Sequence, residues 1–149
     1  MFKTLLLLMT LVISQNLYAE KSTGWKIPVQ RLLPAPLEQL KIKVTTKAEV
    51  EKILGKPALI EGAKYYYAQG GFKYSLEITF EKTVVKEFHY TFLTPRPPVN
   101  PTELNISVDK LTPFPVSGGA AGKYQKYSDA EGELVLDPVG KTLYSVRLK

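Results

Sequence analysis

The 149-residue chain contains no cysteine, one histidine and one tryptophan. Without cysteine there is neither a disulfide nor a thiol nucleophile, so core packing alone must hold the fold together. A zinc site needs several clustered histidine or cysteine ligands, which a single histidine cannot supply. The sequence therefore predicts no metal and no cofactor, and it excludes cysteine-based catalysis.

Long hydrophobic runs are also missing, apart from a short one near the N-terminus. Lys3 precedes the apolar stretch 5–13, and Ala19 ends a polar and small-residue segment, which is the order of a secretory signal peptide. The run is about half of the ~20 residues that a spanning helix needs, and a retained membrane anchor is the alternative. We expect cleavage after residues 1–19 and a periplasmic or secreted protein. Glu20 stands where lipidation would need cysteine, so neither a lipid anchor nor a transmembrane segment is expected in the mature chain.

Charge of one sign is not concentrated anywhere in the chain. The net charge is +6, but the basic residues are scattered and form no run of five or six. Such an excess favours weak contact with anionic envelope surfaces. Because export separates a protein from nucleic acid, no nucleic-acid partner is expected.

One helix is clearly encoded near the middle of the chain. Thr46-Lys-Ala-Glu49 is a capping box, in which each of the two side chains accepts a hydrogen bond from the other residue's backbone amide. Gly55 provides a left-handed end to the helix. One apolar stripe at helical spacing is formed by Val50, Ile53 and Leu54. This narrow stripe must pack on something larger.

An antiparallel meander of three strands is predicted after the helix. Residues 72–80 alternate strictly between apolar and polar, which is typical of a strand with one solvated face. The segment 64–68 is β-prone and is joined to it by a turn at 69–71. A tight connection leads into 84–92, whose inward face is marked by Phe88, Tyr90 and Phe92.

Prolines divide the rest of the chain. The segment 20–36 contains three prolines and is predicted to be an extended N-terminal arm. Residues 37–93 hold the helix and the meander. Four prolines in the eight residues 94–101 predict a stiff polyproline linker.

The second half of the chain echoes the first. The dipeptide Lys-Tyr at position 64 recurs 59 residues later, and the same offset takes the helix cap Thr46 to Asn105. Residues 102–149 are therefore predicted to form a degenerate second unit with a short helix and three strands. The predicted strands are 124–127, 133–136 and 142–148. The alternative is a single sheet that continues with unrelated strands.

No catalytic residues are predicted. His89 occupies a polar position of a strand, where an exposed histidine is usually structural, and no serine motif accompanies it. Glu131 and Glu133 lie in or beside a turn, where solvated carboxylates are common. The loop 117–123 lacks the first glycine and the final Ser/Thr of a phosphate-binding loop. The chain is therefore not expected to be an enzyme.

Aromatic residues offer the better indication of function. Three consecutive tyrosines stand on one predicted strand, so at least one must point away from the core. Exposed tyrosines give large contact area at small entropic cost. The alternative is that Tyr65 and Tyr67 pack inward while Tyr66 merely covers the outer face. Tyr66, His89 and Arg96 are the candidate protein-binding surface.

The segment 37–57 resembles the opening of the SmpA/OmlA (BamE) family. That family shows a Gly-Met-Thr step, a helix with valine and then Leu-Gly-x-Pro. This chain matches it at Thr46, Val50 and Leu54-Gly-Lys-Pro57. With the aromatic meander, the similarity extends over about residues 37–92, under half of the chain.

The resemblance implies an α+β fold with a helix packed on an antiparallel β-meander. It also implies a non-enzymatic accessory protein of the bacterial cell envelope, acting in outer-membrane assembly and envelope integrity through another envelope or secreted protein. The 59-residue echo predicts two imperfect copies of this unit, which resembles the tandem β-lactamase-inhibitor-protein (BLIP-like) fold. The alternative function is therefore a secreted inhibitor of a hydrolase.

Overall fold

The computed structural model describes four stretches of the chain, 24–68, 75–115, 124–137 and 141–149. Several predicted features lie outside these stretches: the signal peptide 1–19, the turn 69–71, the first residues of the predicted strand 72–80 and the loop 117–123. None of the helices within the described stretches is long and apolar enough to cross a membrane.

The elements follow one another in a simple order. The helices are α1 (Lys26–Gln30), α2 (Ala35–Glu38), α3 (Lys47–Leu54) and a 3-10 turn at Val108–Lys110. The strands are β1 (Leu59–Glu61), β2 (Lys64–Tyr67), β3 (Leu76–Glu81), β4 (Val84–Thr91), β5 (Thr112–Phe114), β6 (Tyr124–Ser128), β7 (Gly132–Asp137) and β8 (Thr142–Leu148).

All eight strands belong to one antiparallel sheet with the order β1-β2-β3-β4-β8-β7-β6-β5. The two halves of the chain join where Phe88–Thr91 of β4 pairs with Ser145–Leu148 of β8. The predicted fold of a helix on a meander in two copies is therefore wrong. The alternative of one continuing sheet describes the molecule, because the edge of the first meander is completed by the last strand of the chain.

The N-terminal segment is a packed layer rather than an extended arm. It contains α1 and α2, and five of its large apolar side chains are almost fully buried. They are spaced at intervals of four and three residues, which places them on one side of the segment: Trp25, Val29, Leu33, Leu37 and Leu40. The prolines of this segment do not prevent this, because Pro34 and Pro36 lie at the start of α2, where a missing amide costs little.

The predicted helix at the centre of the chain is confirmed as α3. Thr46 Oγ1 accepts from the Glu49 amide at 3.3 Å, and Glu49 Oε2 accepts from the Thr46 amide at 2.7 Å. Gly55 ends the helix at a φ of 78°. Val50 is fully buried, while Ile53 and Leu54 pack on the edge of the same core.

Acidification should weaken this cap. The hydrogen bond from the Thr46 amide holds the pKa of Glu49 below its ordinary value of 4.5. The folded state therefore gains stability above that pH and loses it as the pH falls through the lower folded value. At about pH 7 the wild type should have a higher free energy of unfolding than Glu49→Gln, and this difference should shrink as the pH falls to about 3. Glutamine keeps the cap but does not titrate, so the variant does not lose this contribution. Urea denaturation measures both; equal losses in the two proteins would contradict the prediction.

The second half lacks the expected short helix. Asn105 has a φ of 57° and caps no helix, and the only helical residues nearby are the exposed 3-10 turn. The proline segment 94–101 is not a free linker, since it lies along the start of β8. The Val99 amide donates to the Lys141 carbonyl at 2.8 Å, and the Leu143 amide donates to the Pro97 carbonyl at 3.0 Å.

The strands predicted at 124–127, 133–136 and 142–148 are confirmed as β6, β7 and β8. Alternating side chains give the sheet two different faces. One face joins the buried side chains of α1, α2 and α3 in a single hydrophobic cluster. We call the other the open face; its residues include Lys64, Tyr66, Glu77, Glu87, His89, Thr91, Glu133, Ser145 and Arg147.

Candidate functional site

A cross-strand row of side chains runs over the middle of the open face. Each member lies directly opposite the next, and the row crosses β2, β3, β4, β8 and β7. Its members are Tyr66, Glu77, His89, Arg147 and Glu133. The row therefore contains two of the three predicted surface residues, Tyr66 on β2 and His89 on β4, with Glu77 of β3 between them.

Charges along the row are paired. Lys64 Nζ lies 2.8 Å from Glu77 Oε1, and this hydrogen bond raises the pKa of Lys64. Arg147 lies between two carboxylates, with Nη1 3.5 Å from Glu87 Oε1 and Nε 3.9 Å from Glu133 Oε2. Both Arg147 distances are longer than a strong charge-assisted hydrogen bond, which measures about 2.7–2.9 Å. The guanidinium and both carboxylates can therefore also form hydrogen bonds with other partners.

His89 is neutral at physiological pH. Burial between its strand neighbours is the main cause that lowers its pKa, and the adjacent Arg147 lowers it further. The carboxylates of Glu77, Glu133 and Glu87 act in the opposite direction with smaller effect. A neutral imidazole offers one donor and one acceptor nitrogen.

Tyr66 is the outward residue of the three tyrosines. Tyr65 and Tyr67 are buried on the core face, while Tyr66 is half-buried on the open face. Burial is the main cause of its raised pKa, and a hydrogen bond with the Glu61 carboxylate adds to it. Tyr66 therefore stands at one end of the row, with its hydroxyl bonded to Glu61.

Arg96 lies outside the row, in the proline segment. Its guanidinium carbon is 4.6 Å from the centroid of the Tyr144 ring and 5.9 Å from that of Tyr124. Nη1 donates to the Tyr124 hydroxyl at 3.2 Å, and the two tyrosine rings meet edge to face at 5.0 Å. Arg96 thus fixes the Tyr144 ring and does not line the row.

A hollow of about 300 Å³ opens on the open face next to Arg147. We call it the β8 hollow; it is lined by His89, Thr91, Phe114, Pro115, Glu133, Val135, Tyr144, Ser145 and Arg147. Of these residues, only His89 was a predicted site residue. Ser145 and Arg147 alternate with the buried Val146 and Leu148. This alternation in the sequence of β8 was sufficient to predict that Ser145 and Arg147 lie on the open face.

No family model matches this chain, and no curated protein matches it. The structure is similar to the crystal structure of a DUF4309 family protein (YjgB) from Bacillus subtilis subsp. subtilis str. 168. The TM-score is 0.54 at 18% sequence identity, and the match covers 85% of this chain and 97% of that one. At this identity the likeness concerns the fold alone.

The resemblance to the SmpA/OmlA (BamE) family is wrong, and so is the tandem BLIP-like arrangement. The short motif at 46–57 encodes a capped helix with a glycine end, which many folds use. The solved structure with the same architecture comes from a different family. A role in outer-membrane assembly rested on this resemblance and loses its support with it.

Proposed function

We propose that this chain is an exported, non-enzymatic binding protein of the bacterial cell envelope that holds a partner protein against its open face. The cross-strand row carries the proposal. It presents an aromatic ring, a neutral imidazole and paired charges on one rigid sheet surface. Sites built on strands keep their geometry better than sites on loops.

Export is supported by the sequence of residues 1–19, whose order of charged, apolar and small residues is that of a signal peptide. The absence of cysteine from the whole chain agrees with a fold that needs no redox control in an oxidising compartment.

A binding role is favoured over catalysis by the surroundings of the one histidine. Within the described stretches, His89 makes no hydrogen bond to a serine or threonine hydroxyl, as a nucleophile–base pair would require. The described residues also contain no group of three or more histidine, aspartate or glutamate side chains placed to hold a metal.

Capture followed by a defined affinity measurement tests the proposal. The mature chain is immobilised, an envelope extract of the native organism is passed over it, and the retained protein is purified. Its affinity is then measured against wild type and open-face variants. Retention unaffected by open-face substitutions would overturn the proposal, and stoichiometric inhibition of a retained hydrolase would assign the inhibitor role.

Tyr66→Ala should weaken partner binding by about 2 kcal/mol, because tyrosine is among the residues whose truncation in an interface commonly costs that much. The free energy of unfolding should change by less than about 1 kcal/mol, the scale of one cross-strand pair. Calorimetric titration and urea denaturation measure the two effects. Lys52→Ala on α3 is the matched control, since Lys52 is exposed away from the open face and should leave both quantities unchanged. A loss of stability without a loss of binding would show that Tyr66 is structural.

A further inference from the structure

The β8 hollow has aromatic walls and a buried floor. A register shift in the pairing of β7 with β8 leaves Tyr144 as an extra residue between Leu143 and Ser145. Such a bulge redirects a side chain, and the Tyr144 ring lines the hollow together with Phe114 of the edge strand β5. Val135 and Ser145, which are 5% and 4% exposed, form the floor.

The aromatic walls are held in place from outside. Arg96 stacks on the Tyr144 ring at 4.6 Å, and the Tyr124 ring packs against it at 5.0 Å. Lys126 Nζ lies 5.6 Å from the centroid of the Phe114 ring. Both rings are therefore preorganised, which lowers the entropic cost of binding a ligand between them.

Donors and acceptors are mixed around the hollow. Thr91 and Ser145 provide hydroxyls, and neutral His89 provides one donor and one acceptor. Arg147 donates and Glu133 accepts, and they lie 3.9 Å apart. The contacts of Arg147 with Glu87 at 3.5 Å and of Glu133 with Lys149 at 3.8 Å are also longer than a strong charge-assisted hydrogen bond. This set suits a ligand whose groups both donate and accept, as hydroxyls do.

The two charged residues that line the hollow, Arg147 and Glu133, are of opposite sign. Just outside the lining, Glu87 lies 3.5 Å from Arg147 and Lys149 lies 3.8 Å from Glu133. The lining therefore carries no net charge, which suits a neutral ligand. A volume of about 300 Å³ is at the lower end of the range of small-molecule sites. That volume accommodates a single sugar ring.

We infer that the β8 hollow binds a neutral sugar unit of a glycan. The C–H bonds of one sugar face would lie on the negative face of an aromatic wall. The hydroxyls would bond to Arg147, Glu133 and His89. This site needs no protein partner and lies at the Glu133 end of the row, opposite Tyr66, so its failure and that of the proposed function are distinguishable.

Titration of the isotope-labelled mature protein, followed by nuclear magnetic resonance, tests the inference. The neutral probes are maltotriose, cellotriose and chitotriose, and the charged probes are glucuronate and inorganic phosphate. We expect at least one neutral probe to shift the amide signals of Thr91, Ser145 and Arg147 with a dissociation constant of about 1 mM or below. The charged probes should bind more weakly.

Variants of the aromatic walls give the matched comparison. Phe114→Ala and Tyr144→Ala should each weaken binding by about tenfold, whereas Tyr144→Phe keeps the ring and should change it by less than about twofold. Phe114 lies on an edge strand and is partly exposed, so its variant remains informative if Tyr144→Ala fails to fold.

Three outcomes would overturn the inference. The first is no shift with any neutral probe up to about 10 mM. The second is tighter binding of glucuronate or phosphate. The third is a set of shifts confined to the separate cavity that Val99, Val108 and Leu111 line on the far side of the sheet.

Discussion

Trp25→Ala should destabilise the protein by about 3–5 kcal/mol, the range measured for the loss of a large buried aromatic. Trp25 is 2% exposed, and its ring meets Tyr127 of β6 edge to face at 6.4 Å. Its Nε1 donates to Asp129 Oδ2 at 2.6 Å across 104 residues of sequence. The residue thus fastens the N-terminal layer to the distant half of the sheet, and its loss would remove a large part of a typical stability of about 5–15 kcal/mol.

Trp25→Phe separates packing from hydrogen bonding. Phenylalanine fills most of the space but cannot donate to Asp129, so a cost of about 1–2 kcal/mol is expected. Asp129 is exposed and can be rehydrated, which keeps this cost small. Both variants lack the single tryptophan of the chain, so tryptophan fluorescence cannot report their unfolding. Unfolding in urea is therefore followed by circular dichroism in all three proteins. Equal midpoints for wild type and Trp25→Ala would show that the N-terminal layer is not part of the core.

Gly132→Ala should cost about 3 kcal/mol or more. Gly132 opens β7 with a φ of 150°, a conformation that side chains with a Cβ rarely adopt. An added Cβ would lie 1.9 Å from the Arg147 carbonyl oxygen and 2.9 Å from its carbon. Backbone strain and overpacking each cost about 1–3 kcal/mol, and both apply here because the obstruction is backbone on the central strand β8.

Gly62→Ala provides the matched control. Gly62 also has a positive φ, 58°, but nothing lies within 4 Å of an added Cβ. Only the conformational cost of about 1–2 kcal/mol is therefore expected. Urea denaturation compares the two variants with wild type. A cost for Gly132→Ala no larger than that for Gly62→Ala would contradict the close approach of β7 and β8 at this position.

Local patterns predicted the elements well where side chains interact with near neighbours in sequence. The capping box at Thr46 and the alternation in β3, β4 and β8 encode their structures directly. The N-terminal layer differs from the predicted extended arm because Pro34 and Pro36 lie at the start of a helix, where proline is tolerated. The regular spacing of Trp25, Val29 and Leu33 encodes its buried side. The edge strands β1 and β5 have three residues each, too few for a periodic pattern.

Features that depend on distant pairing were beyond such patterns. The parity of β2 and β4 placed Tyr66 and His89 on the outer face, but only the β4–β8 pairing completes the row with Arg147 and Glu133. The β8 hollow depends in addition on a bulge at Tyr144. The predicted duplication is wrong for the same reason. Strand β4 of the first half pairs with β8 of the second, so the two halves form one sheet and not two separate units.

The position of β8 has a consequence for how the chain acquires its shape. Strand β8 follows the other seven strands in the chain, yet it occupies the middle of the sheet and separates β4 from β7. A polypeptide that emerges N-terminus first, from a ribosome or through a translocation pore, cannot close this sheet until β8 has appeared. The late position of β8 in the chain would keep the emerging polypeptide unfolded, and able to pass through a pore, until that strand is available.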